Sequence, residues 1–345
     1  MKAAILKAPG CLVLEDVATP PCPEGGLLVK IRACSICSTD VKMSHQGHRA
    51  LAYPRILGHE VAGEVVESRA SATGFKIGDR VQIYPGICCG QCPACRRGAD
   101  NQCQNIGIIG FTYDGGFAQF LAVPPQSVAR GGVNLIPNEL SFEEATLAEP
   151  LASCINGQQQ AGVTQDHTVL ILGAGPIGLL HAMLARVNGA SQVLVAERLP
   201  SRLEAPGTAP IDRMIDTGKE SLEAVIQEET DGRGVDVILI ACSKADVSSL
   251  PGLLSPRGRL CLFSGLPAGG SHLSLDSNLV HYRELSIVGA YGSTAAQNSA
   301  ALKLIASGKV PAGSLITRRF SLDEIEKAME HVSQREGLKA VIAYS

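Results

Sequence analysis

The densest chemistry in the chain lies in Cys89-Gly-Gln-Cys92-Pro-Ala-Cys95, closed by Cys103 after seven intervening residues. Four thiols at C-x-x-C-x-x-C spacing with a short return suit a closed tetrahedral zinc site. Such a site leaves no position open for a reactant, so its role is structural, and its binding energy of about 10 kcal/mol becomes folding energy. Cys88 stands beside it as an extra thiol; the spacing to Cys92 and Cys95 selects Cys89 as the ligand. The chain has 12 cysteines, and the other seven are scattered. In a reducing compartment clustered cysteines point to metal rather than to disulfides. A second thiol, Cys37 in Cys34-Ser-Ile-Cys37-Ser-Thr39-Asp40, and an imidazole, His59 in Gly58-His59-Glu60, are of the types that zinc also accepts. Cys34 and Cys37 have no second pair near them, so Cys34 reads as a small packed residue.

The other chemical landmark is Thr168-Val-Leu-Ile-Leu-Gly173-Ala-Gly175-Pro176-Ile177-Gly178. An apolar run without polar alternation suits a strand buried on both faces of a parallel sheet. The glycines follow at G-x-G-x-x-G spacing. The first permits a tight turn, the second lets a pyrophosphate approach the backbone, and the third lets helix pack on strand. The helix start then offers unpaired N–H groups to phosphate. A second apolar run, Gln192 to Ala196, ends in Glu197, about twenty residues on, where a carboxylate can accept from the ribose hydroxyls of NAD. That carboxylate repels a 2′-phosphate and so favours NAD over NADP; Arg198 and Arg202 are the neighbours able to invert the preference.

These groups need a scaffold. Residues 1 to about 35 show short alternating runs broken by Pro20, Pro21, Pro23 and Gly25-Gly26, which predicts antiparallel strands. The β pattern continues past His59 through Ile77-Gly-Asp-Arg-Val81 and again over Gly115 to Val123, as in a barrel-like domain. Ser141-Phe-Glu-Glu144 is a capping box, predicting a short helix to about Leu147 that stops near Glu149-Pro150. Leu151 to Ala161 reads as a second helix. Beyond Glu197, helix at 222–229 and strands at 235–240 and 259–263 alternate, which predicts a doubly wound parallel sheet. The strands end at Ala241-Cys242-Ser243 and Ser264-Gly265, so the cofactor-binding set is Gly173, Gly175, Pro176, Ile177, Gly178, Glu197, Arg202, Cys242, Ser264 and Gly265. Helices over 300–307 and 322–332 and a last strand, 339–343, rejoin the first domain. At 345 residues there is room for two cores. A net charge of −3 gives no reason to expect nucleic acid or a membrane as partner. No signal segment or spanning stretch is evident, and the expected location is the cytoplasm.

The glycine fingerprint, the four-cysteine loop, Cys37-Ser-Thr39-Asp40 and Gly58-His59-Glu60, in this arrangement, resemble the zinc-dependent medium-chain alcohol dehydrogenases over essentially the whole chain. Glu149-Pro150-Leu151 resembles the sorbitol (polyol) dehydrogenase branch. The resemblance implies an α/β protein: a doubly wound Rossmann cofactor domain plus a β-rich, barrel-like (GroES-like) catalytic domain. The implied domains are residues 1–152, with the zinc lobe at 86–106, then 153–288, with 289–345 returning to the catalytic part. It further implies a catalytic zinc on Cys37 and His59, completed by Glu60 and Glu149, of which Glu60 is the preferred direct ligand and Glu149 the exchangeable one. Thr39 matches the position that relays the alcohol proton, and Asp40 the partner that orients His59. Zinc lowers the pKa of an alcohol hydroxyl, and a nicotinamide then takes the carbinol hydride. Relatives are homodimers or homotetramers.

Three departures stand out. Glu67-Ser-Arg-Ala70 replaces a glycine turn, Lys42 stands where many members have a histidine, and Pro206 predicts an early break in the helix after Glu197. The leading expectation is an NAD-linked dehydrogenase of a polyol or sugar-derived secondary alcohol. Within that class the alternatives are L-threonine 3-dehydrogenase and a dehydrogenase of an amino-cyclitol or sugar phosphate. From another class comes a zinc-stabilised NAD(H)-binding redox sensor without turnover; a zinc-free quinone reductase conflicts with the cysteine loop.

Overall fold

The computed structural model describes residues 1–71, 73–204, 207–243, 246–265 and 272–344. The chain forms two compact units, Met1–Ala152 together with Ser293–Ser345, and Ser153–Gly292. The sequence placed the second boundary four residues earlier, between 288 and 289, inside the strand Ser286–Gly289.

In the first unit the alternating N-terminal runs pair as an antiparallel hairpin, Lys2–Ala8 with Cys11–Asp16. A larger sheet is centred on Leu27–Ser35, whose inward residues Leu27, Val29 and Ile31 are completely buried. One neighbour is Glu60–Ser68, which brings Ser35 opposite Glu60. The other is the late strand Lys339–Ala343, with Ser35 opposite Val341. Ile36 continues the pairing by donating to the Ala340 carbonyl. Three strands far apart along the chain therefore end side by side where Cys37 begins a helix, Ser38–Gln46. Phe117, Leu121, Ile109 and Leu57 fill the core beneath. The lobe with the clustered cysteines hangs on a two-stranded ribbon, Gly86–Ile87 with Gly107–Ile108, and includes the short helix Pro93–Arg96.

The second unit is a six-stranded sheet, parallel throughout. Across the sheet the strands run Arg213–Asp216, Gln192–Glu197, Thr168–Leu172, Val235–Ile240, Leu254–Leu262, Ser286–Gly289. Numbered along the chain, this is 3-2-1-4-5-6, the doubly wound order whose ligand site lies at the strand ends beside the first strand. The continuous apolar runs are buried on both faces, as expected for strands flanked by helices.

Several local expectations are revised. Glu149-Pro150 does not end a helix; it opens one, Ala148–Ala161. Proline is accepted in a first turn because the N–H it lacks would have had no partner there. The helix expected at 300–307 starts at Ala295, capped by Thr294 and Gln297. The run 322–332 is split into a 3₁₀ turn, Leu322–Glu324, and a helix, Ile325–Ser333. The strand expected over 115–123 is confined to Phe120–Val123. The helix after Glu197 stops at Leu203, and Pro206 lies outside the described residues.

Candidate active site

Cys37 is the N-cap of the helix Ser38–Gln46, so its thiol projects from the point where the central strand ends. Its cap is completed by Asp40, whose Oδ2 accepts from the Cys37 backbone N–H at 2.9 Å. The other Asp40 oxygen accepts from the Gly58 N–H at 3.2 Å and meets His59 Nδ1 at 3.1 Å. One fully buried carboxylate thus fixes both the thiol-bearing turn and the histidine ring. With Nδ1 held by Asp40, Nε2 is the nitrogen left for a metal. Burial pushes the His59 imidazole down, but Asp40 and Cys37 outweigh it and hold the ring's pKa well above the usual range in the metal-free protein. Donor atoms of Cys37, His59 and Glu60 all lie within 4.8 Å of one another. One thiolate, one imidazole and one carboxylate in that space fit zinc with a coordination position to spare.

Glu60 is completely buried and does not stand alone. Lys339 Nζ contacts its two oxygens at 2.7 and 2.6 Å, and the Ser35 hydroxyl donates to Oε2. Lys339 is itself 6% exposed. Burial pulls this ammonium down, yet Glu60, Cys37 and Glu149 hold its pKa above the ordinary lysine value, so it is charged. Sequence reasoning missed Lys339, because a lysine at the start of a strand carries no local mark of its distant partner. Glu149, in the first turn of its helix, lies outside the trio but within its field. Burial raises its carboxyl to about 7, with His59 opposing and Glu60 reinforcing the rise. Thr39 is half-buried on the first turn beside Cys37. Phe111 packs edge-on against His59 at 5.5 Å and against His48 at 5.4 Å, giving the site an aromatic wall. Lys42 is exposed.

In the lobe the sulfurs of Cys89, Cys92, Cys95 and Cys103 lie within 4.8 Å of one another. A tetrahedron of sulfurs about 2.3 Å from zinc has edges of about 3.8 Å. The Cys92–Cys95 and Cys89–Cys95 separations of 3.5 and 3.9 Å straddle that edge. The thiols are free. Backbone N–H groups of Cys95 and Gln104 draw Cys92 down to about 6, preparing a thiolate. The geometry fits a closed zinc site.

At the strand ends of the second unit Gly173 takes φ +106°, a value that suits glycine, and a Cβ there would lie 3.1 Å from the Cys242 Cβ. Gly175 caps the helix Pro176–Val187, with Pro176 and Ile177 in its first turn. A Cβ on Gly178 would come 1.8 Å from the Gly173 carbonyl, so strand and helix meet here with no room for a side chain. Glu197 Oε2 accepts from the Ala174 N–H at 2.9 Å; Oε1 accepts from Arg198 and Leu199 at 2.7 and 3.0 Å. Burial raises its pKa, but these three donors and Arg202 prevail and lower it, so Glu197 is ionised. The carboxylate that was expected to face a ribose therefore also clamps the glycine turn. Arg202 lies across that turn, its guanidinium 2.9 Å from where a Gly175 Cβ would be. Ser264 donates its N–H to the Ile240 carbonyl at the next strand end, and exposed Gly265 follows it.

Comparison with known families finds the alcohol dehydrogenase GroES-like domain over residues 23–133 and the zinc-binding dehydrogenase domain over residues 176–307. The chain belongs to the zinc-type medium-chain alcohol dehydrogenase family. It is an enzyme, an alcohol oxidoreductase with a GroES-like and a Rossmann-type domain, and it resembles the family's polyol dehydrogenases. An L-threonine 3-dehydrogenase of Pyrococcus abyssi is 36% identical, covering 92% of this chain and 90% of that protein. A sorbitol dehydrogenase of Bacillus subtilis is 31% identical over 99% of this chain and 97% of its own length. The solved structure of a zinc-binding dehydrogenase from Sinorhizobium meliloti 1021, bound to NADP, has a TM-score of 0.91 at 30% identity and covers 99% of each chain. Family membership supports zinc and a nicotinamide cofactor for this dehydrogenase. Among its described residues, no helix is long and apolar enough to cross a membrane.

Proposed function

We propose that this enzyme oxidises a secondary alcohol of a polyol or sugar-derived substrate with NAD. It holds a catalytic zinc on Cys37, His59 and Glu60, with Glu149 as the exchangeable acid, and a structural zinc on Cys89, Cys92, Cys95 and Cys103. The observation that carries the reading is the convergence of Cys37, His59 and Glu60 on one point, oriented by Asp40. When bound, zinc supplies the Lewis acidity that brings an alcohol hydroxyl's pKa towards neutrality, and the nicotinamide supplies the hydride acceptor. The protein's own groups do the rest. Asp40 holds His59 in one tautomer and ties down the backbone turn that carries Cys37. Lys339 and Ser35 restrain Glu60, Phe111 limits water beside the histidine, and Thr39 carries the hydroxyl proton outward.

The NAD preference is supported by ionised Glu197 at the end of its strand, whose charge opposes a 2′-phosphate. The polyol assignment is supported by Glu149-Pro150-Leu151 and by the likeness to sorbitol dehydrogenase. A second reading, L-threonine 3-dehydrogenase, is favoured by the 36% identity to the Pyrococcus abyssi enzyme. The working form in this proposal is a cytoplasmic homodimer or homotetramer acting on small molecules, with neither nucleic acid nor membrane as partner. The test is an initial-rate panel of polyols, sugar acids, L-threonine and simple primary alcohols, each with NAD and with NADP, on protein of measured zinc content. Polyol or sugar-acid turnover with NAD supports the proposal. Threonine alone moves the assignment to the second reading, and activity confined to primary alcohols removes both.

A further inference from the structure

The lobe has one sulfur more than a tetrahedral zinc needs. Cys88 leaves the ribbon strand Gly86–Ile87 buried, and its sulfur, the Cys95 sulfur and an Asp100 carboxylate oxygen lie within 4.8 Å of one another. Cys95 sits on a different element, the helix Pro93–Arg96, and belongs to both this trio and the four-sulfur set. It is half-buried, so a small oxidant can reach it. With zinc in place the other three sulfurs of the set are committed to the metal. Cys88 is then a free thiol beside a metal-bound one.

We propose that Cys88 and Cys95 form an oxidation-sensitive pair whose disulfide removes Cys95 from the zinc set and releases the metal from the lobe. The oxidant is of the hydroperoxide class. The Cys95 sulfur attacks the O–O bond, gives up two electrons and keeps one oxygen as a sulfenate, while the other oxygen leaves as an alcohol or water. The Cys88 sulfur then forms the S–S bond and displaces the sulfenate oxygen; the Cys88 proton passes through Asp100 to that oxygen, which takes one more proton from solvent and leaves as water. Overall one metal-bound thiolate, one thiol, one hydroperoxide and one proton give one disulfide, one alcohol or water, and one further water. Three sulfurs remain for the metal, too few for the closed tetrahedron that holds a structural zinc. A two-thiol reductant reverses the step by exchange. Without Cys88 the sulfenate has no adjacent resolving thiol outside the shell, and it proceeds to sulfinic acid, which such reductants do not restore.

The inference rests on the four-sulfur zinc reading above, and the experiment separates the two. Zinc-loaded full-length protein is first analysed for metal, then treated with hydrogen peroxide in the presence of a chromophoric zinc chelator. The oxidised cysteines are identified by differential alkylation of the tryptic peptide 81–96, which contains four of the five lobe cysteines. Wild type should release zinc as Cys88 and Cys95 are lost together, and dithiothreitol with added zinc should reverse both. Cys88→Ser should begin with the same zinc content and basal activity, form no such disulfide, and accumulate irreversibly oxidised Cys95. A disulfide between other cysteines, or reversible zinc release from Cys88→Ser as in wild type, overturns the pair. Absence of lobe zinc before oxidation overturns the four-sulfur reading and with it the release step, while the alkylation pattern still decides whether the two sulfurs join.

Discussion

Lys339→Met probes how the buried carboxylate of Glu60 is held in the interior. The substitution roughly preserves the side chain's volume and removes the ammonium that contacts both oxygens of Glu60. Among the described residues the Ser35 hydroxyl is then its remaining side-chain donor. An uncompensated buried charge costs about 3–5 kcal/mol. At about 2–4 °C per kcal/mol for a domain of 150–250 residues, the chelator-treated variant should melt roughly 6–20 °C below wild type. A zinc ion beside Glu60 replaces the missing positive charge, so the deficit should be smaller in zinc-loaded protein. Melts followed by circular dichroism, with chelator or with zinc, give both comparisons, and Lys339→Arg serves as the charge-retaining control. Equal melting of chelated wild type and Lys339→Met would refute the reasoning, and so would a deficit that zinc leaves unchanged.

Asp40→Asn keeps shape but loses the charge that orients His59, and should weaken zinc retention about 10–100-fold, read by competition with a chelator. Gly178→Ala places a methyl 1.8 Å from the Gly173 carbonyl, so the helix must move off the strand. NADH affinity, measured by fluorescence, should fall roughly tenfold or more, about 1.4 kcal/mol, whereas Gly252→Ala, with no atom within 4 Å of the new methyl, should leave it unchanged. Glu149→Gln should stabilise the chelated protein at neutral and alkaline pH. The folded carboxyl, at about 7, lies above its unfolded value of 4.5; its cost is absent below the unfolded pKa, grows as pH rises through that window and is constant above it. Urea titrations across that range check the sign, and a variant that gains most at acid pH would contradict it.

What could be read in advance was what short-range spacing encodes. The four-cysteine lobe and the glycine turn need particular residue types within a few positions of each other, so both show in the sequence. The doubly wound sheet showed in its buried apolar strands, but its two edge strands, Arg213–Asp216 and Ser286–Gly289, partly exposed, gave too little pattern to register, and so did Ile316–Phe320 in the first unit. Proline at position 150 misled because its effect on a helix depends on whether it falls in the first turn or beyond it. Lys339 was invisible for another reason. Its partner is 279 positions away, and only the pairing of both strands with Leu27–Ser35 brings the two together. Cys37, His59, Glu60 and Asp40 became a set through family resemblance; their spacing alone would not have joined them. The clamping of the glycine turn by Glu197 through three backbone donors also needed the folded chain to be seen.

The placement of Lys339–Ala343 beside Leu27–Ser35 bears on how the protein is made. Translation at about 5–20 residues per second separates Glu60 from Lys339 by roughly 15–55 s. Throughout that interval the nascent polypeptide has Cys37, His59 and Glu60 but lacks the cation that restrains the last of them. The sheet of Ser153–Gly292 can close while the ribosome is still working, whereas the earlier-synthesised half must wait for a strand encoded near the far end of the message. Metal arriving early would meet an unguarded carboxylate, and the ammonium would dock last, onto a centre already formed.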